Sequence, residues 1–116
     1  MFQNFFAQLE AADALGFGTA WVAQAHLSTE VQKRNRQSVV PHWEGEVGLC
    51  TDFFQLAHAC FARTERIEVG SAVMSMVTHA GPVGIDERTG ACLALEGLDP
   101  AEERRVRIGF SDGRFE

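Results

Sequence analysis

Positive charge is scarce in this sequence: one lysine and nine arginines stand against sixteen acidic residues, a formal net charge of −6. That sign disfavours sequence-independent binding to polyanions, so nucleic acid is not an expected partner. Long apolar runs are missing too. None approaches the ~20 residues that a membrane helix needs, and the N-terminus lacks the basic-then-apolar layout of a signal peptide. The expectation is a cytoplasmic protein that binds no membrane. Cysteine is sparse: Cys50, Cys60 and Cys92 make neither an even set nor a C-x-x-C pair, so a disulfide framework or thiolate zinc site has little support. The four histidines, His26, His42, His58 and His79, show no H-x-x-x-H spacing, and no metal is expected. Rossmann, P-loop and hydrolase-elbow motifs are also absent.

What is present is an ordinary globular composition, with 46% hydrophobic and 22% charged residues in 116. That is enough for one packed domain, and well short of the roughly 250 residues of a closed (β/α)₈ barrel. Phe2, Phe5, Phe6, Leu9 and Ala12 or Asp13 recur at helical spacing, and Gly16 follows as a stop. Residues 18–23, GTAWVA, read as a short strand buried on both faces. Residues 27–49 show no periodicity and read as a long loop with a basic tip at Lys33, Arg34 and Arg36. Asp52 and Gln55 are spaced as a capping box ahead of an apolar stripe at Phe53, Leu56, Ala57, Cys60 and Phe61. A second buried strand is expected over 66–74, a loop over 78–84, and a helix over 85–95 weakened by Gly84 and Gly90. Asp99, Pro100 and Glu102 signal a short helix, and 106–110 a third strand. Helix, strand, helix, strand, helix, strand predicts an α/β fold with a parallel sheet and right-handed crossovers.

Three segments resemble the bacterial luciferase-like monooxygenase superfamily. ADALGFGTAWVAQAH, ending at His26, is similar to the family's "LGF" helix end leading into a W-x-x-E-H-H strand. RTERIEVGSAVMSM, beginning at Arg63, is similar to its R-T-x-R-I-x-x-G-T-A-V strand. Gly81-Pro82-Val83 and the closing Ser111-Asp112-Gly113-Arg114-Phe115 are weaker matches to the family's "HPvr" step and "s-G-G-R-f" turn. The family's Glu-His-His becomes Gln24-Ala25-His26, so His26 alone matches the paired histidines. The resemblance implies a partial (β/α)₈ TIM-barrel segment of about three parallel strands with flanking helices, residues 1–116 forming a single incomplete barrel piece.

It further implies a flavin-dependent monooxygenase or oxidoreductase, with reduced FMN as cofactor and a deazaflavin as the alternative. Small-molecule substrate, molecular oxygen, a flavin reductase and a second copy of the chain are the implied partners. His26 is the catalytic candidate. Ser71, Ala72 and Val73 occupy positions that in this family pass under the flavin ring, often through a cis non-proline peptide bond, and Met74 extends that set. Small side chains there let a flat ring approach the backbone. Trp43 and His79 are substrate-side candidates. Each has a plainer reading: a strand packing on a helix for Ser71, Ala72 and Val73, a loop histidine for His26, core filling for Met74, a loop anchor for Trp43, and a loop-surface position for His79. The other functional class is a non-catalytic relic or interaction module. The family's opening strand and later phosphate-binding loops have no counterpart here, so the chain alone is expected to show no flavin turnover.

Overall fold

The computed structural model describes residues 2–23, 52–97 and 106–111. In chain order these form α1 (Phe2–Ala14), β1 (Thr19–Val22), α2 (Phe53–Phe61), β2 (Glu68–Ser75), α3 (Gly81–Leu95) and β3 (Val106–Ser111). The strands make one parallel sheet in the order β1-β2-β3. This is the expected α/β class, compatible with a segment of a (β/α)₈ barrel. The expected helix at Asp99 to Glu102 and the long loop of 27–49 lie outside the described residues, as do His26, Trp43 and Cys50.

α1 ends where Gly16 takes a φ of 84°, a left-handed turn that glycine makes without steric cost. α2 begins on Asp52, whose carboxylate accepts the Gln55 N–H at 3.0 Å, one half of the capping box. Its apolar stripe is buried as patterned, and Phe54 joins it, edge-on to Phe53 at 5.4 Å between ring centroids.

Register sorts the strand residues onto two faces. Ala20 and Val22 share a face with Val69, Ser71, Val106 and Ile108; of these, the hydrophobic residues pack in or against the core formed with Leu9, the α2 stripe, Ile85 and Cys92. Thr19 and Trp21 share the other face with Glu68, Gly70 and Arg107. Here the expectation of strands buried on both faces fails, since Trp21 is 58% exposed. The helices of the described residues cover one side of the sheet only.

α3 departs further from expectation. It begins at Gly81, four residues before the predicted start, with Pro82 in its first turn. Proline suits that position because its fixed φ is already helical and its missing N–H would be unpaired there. Gly84, which counted against the helix, is needed by it: a Cβ at that position would lie 2.9 Å from both the His79 carbonyl oxygen and the Ala80 Cβ. The chain turns sharply into this helix through Ala80 at φ 62° and Gly81 at φ 72°.

Candidate functional site

The middle strand is held from both ends. At its start, the Asp13 carboxylate, only 8% exposed at the end of α1, receives three consecutive backbone N–H groups, from Glu65 at 2.7 Å, Arg66 at 3.0 Å and Ile67 at 2.7 Å. Burial alone would raise its pKa, but those hydrogen bonds and the Arg66 charge outweigh it and hold the carboxyl below its ordinary value. The Glu68 N–H then bonds the Gly18 carbonyl at 2.9 Å, fixing β2 against the end of the first turn. Asp13 appeared in the sequence only as one option for an apolar helix position. A buried acid there, three residues before a glycine stop, was the available signal.

Between Ser71 and Met74 the pairing of β2 with β3 slips, so that β2 carries an extra residue. The Ala72–Val73 peptide bond inside this bulge is cis. Ser71 is fully buried, its hydroxyl taking the Gly109 N–H at 3.1 Å and meeting the Gly109 carbonyl at 3.3 Å, which ties the bulge to β3. Met74 is fully buried in the core. Ala72 and Val73 are exposed, and they are the pair of the four that present side chains outward.

Glycines recess the sheet around them. A Cβ on Gly70 would lie 2.6 Å from the Trp21 ring, so the indole rests on bare backbone. A Cβ on Gly109 would lie 2.6 Å from the Ser71 carbonyl oxygen and 3.5 Å from Val73 Cγ1. The outcome is an open apolar surface with Trp21 and Val73 lying low over neighbouring strands. Toward the start of the strands the same face carries a polar cluster: Glu68 accepts from the Thr19 hydroxyl at 3.2 Å and from Arg107 Nε.

At the far end of β2 the chain folds back on itself. The Gly81 N–H bonds the Met76 carbonyl at 2.9 Å, and the Ser75 carbonyl is approached by Thr78 Oγ1 at 3.4 Å and His79 Nδ1 at 2.8 Å. A carbonyl only accepts, so the proton of that contact sits on Nδ1. His79 is therefore buried, at 4% exposure, and the loop-surface reading of it is corrected: the turn that starts α3 carries the ring inward. The Ser75 hydroxyl is buried with no hydrogen-bond partner. Leaving such a group unpaired costs on the order of 1–3 kcal/mol.

A small-residue bulge at the C-terminal half of a parallel strand, open on one side and followed by a polar turn, is a place where α/β folds bind ligands. A family model described as luciferase-like monooxygenase matches residues 1–84, the span that contains all of these features up to the first turn of α3. The chain belongs to the luciferase-like monooxygenase family. No curated protein and no solved structure matches it. For a luciferase-like monooxygenase, the residues brought together are Ser71, Ala72, Val73 and Met74 in the bulge and His79 just beyond it. His26 and Trp43 fall outside the described residues. No helix among the described residues is long and apolar enough to cross a membrane.

Proposed function

We propose that this chain is a flavin-dependent oxidoreductase of the luciferase-like type, with the β2 bulge as the support for the flavin ring. The observation that carries the reading is the exposed Ala72–Val73 pair, small side chains on a strand flanked by recessed glycines, in a chain of this family. A planar ring needs a surface from which nothing bulky projects.

Ala72 and Val73 would meet the ring. Ser71, bonded to Gly109, holds the bulge in shape, and Met74 keys it into the core. Asp13 fixes where β2 begins and so where the bulge lies. Reduced flavin, when bound, supplies the electrons for reaction with molecular oxygen, and the protein binds, orients and excludes water. His26 is the proposed polar group beside the flavin; His79 and Trp43 are proposed on the substrate side, with a small organic molecule as substrate. FMN is the cofactor proposed, and a deazaflavin the alternative.

Titration of the chain into FMN, followed by quenching of flavin fluorescence, tests this directly. Saturable quenching is expected, and Ala72→Trp should abolish it by placing a bulky ring where the flavin lies. Equal quenching by wild type and Ala72→Trp would remove the bulge from the site. Parallel titration of a deazaflavin decides between the two cofactors.

A further inference from the structure

One side of α1 carries a stripe that the core does not use. Phe2, Phe6 and Glu10 recur every four residues, so they stand one above another along about 12 Å of one helix face, while Leu9 and Asp13 are buried on another. The Phe2 and Phe6 rings are stacked, 6.3 Å between centroids. Arg63, two residues beyond α2, reaches across to lay its guanidinium 4.5 Å from the centre of the Phe6 ring and 3.5 Å from the Glu10 carboxylate. With Gln3 and Ala7 these residues line an open cavity of about 370 Å³. Phe2 is 43% exposed, and the Arg63 and Glu10 side chains are about half exposed. An ion pair so well solvated holds its members weakly, and both charges stay available to an incoming surface.

We propose that this stripe is where a second copy of the chain docks, α1 against α1, antiparallel about a two-fold axis at Phe6. The proposal is independent of the flavin reading. A two-fold contact brings a surface against its own image, and this surface suits that: it holds one cation, one anion and two stacked rings. A strongly acidic or basic partner would instead confront a like charge at Glu10 or Arg63. Phe2 lies four residues before Phe6 and Glu10 four after it, so the antiparallel crossing sets Phe2 of the partner subunit level with Glu10 and Arg63. The guanidinium, with one face on Phe6, offers its other face to that ring. One helix of 13 residues is a small contact beside the roughly 1,200–2,000 Å² of a stable interface. The dimer is therefore weak, with a Kd of about 10 μM to 1 mM.

Sedimentation equilibrium of the full chain, from a few micromolar to about 1 mM, tests this. Wild type is expected to pass from monomer toward dimer mass over that range, and Phe2→Ser to raise Kd about fivefold or more with its far-UV circular dichroism unchanged. Arg63→Glu and Glu10→Arg each give the patch two like charges, and each alone should lose self-association. Mixed in equal amounts, the two variants present opposite charges to one another and should recover the dimer. Glu10→Arg also makes the whole chain less acidic, so association governed by general repulsion would strengthen in that variant, and such strengthening overturns the proposal. A wild type that stays monomeric at 1 mM leaves the stripe to a different protein and overturns it as well. So do a Phe2→Ser chain that associates like wild type and a mixture of the charge variants that stays monomeric.

Discussion

Asp13 shows how one side chain can set the position of a site it never touches. Its carboxylate gathers the N–H groups of Glu65, Arg66 and Ile67, and hydrogen bonds to a charged acceptor are the stronger kind. Asp13→Ala leaves three donors at the start of β2 without their acceptor, and should cost on the order of 2–4 kcal/mol in urea unfolding. The pH dependence follows in sign. The folded carboxyl titrates below its ordinary 3.8, so the folded state binds its proton less readily than the unfolded chain does. Its contribution is complete above the unfolded value and is lost as pH falls through the folded one. Asp13→Asn should flatten the stability curve below about pH 4 relative to wild type. Cys92 makes the opposite case. Burial, and then the negative charge of Glu96, pushes its thiol up to about 11. Alkylation read by peptide mass spectrometry at pH 8 should leave Cys92 unmodified in the native protein and modify it fully in urea.

Among the elements, β2 is the one on which the others converge, and Gly70 within it and Gly109 on the neighbouring β3 are constrained for different reasons. At Gly70 the obstacle to a side chain is the Trp21 ring, which can shift; at Gly109 it is the Ser71 carbonyl, which is backbone. Gly109→Ala should therefore destabilise more than Gly70→Ala, with roughly 1–3 kcal/mol expected for the milder change. A double-mutant cycle of Gly70→Ala with Trp21→Ala should recover most of the Gly70→Ala loss, and additive effects would show that the indole is not the obstacle. The helices are tied by charge as well as by packing. Arg88 of α3 pairs with the α2 cap Asp52 while its guanidinium lies 4.8 Å from the Phe54 ring, and His58 of α2 meets Glu96 just past α3. These contacts join the α2 cap to α3, which the capping pattern of Asp52 and Gln55 did not reveal.

At the scale of the whole molecule, the main feature is the uneven cover of the sheet by the helices of the described residues. Trp21 at 58% and Val73 at 40% exposure put apolar surface on the face away from the helices. The native chain at neutral pH should bind an anilinonaphthalene dye with enhanced fluorescence, and Trp21→Lys with Val73→Lys should suppress it without lowering the unfolding midpoint by more than a few degrees. Element order, the α/β class, the Asp52 cap, the α2 stripe and the glycine stop at Gly16 were legible in the chain, because each depends on residues a few positions apart. The bulge was legible only as a likeness of RTERIEVGSAVMSM to a family pattern. Asp13 reaching Ile67, Glu68 paired with Arg107, His79 turned inward and the orphaned Ser75 hydroxyl were not legible. Each needs groups brought together by strand register or by a turn closing in space, and side chains alone do not encode which neighbour they will meet. Periodicity fixed which residues turn toward a core; the pairing of β1 and β3 with β2 decided what the central strand presents on its open side.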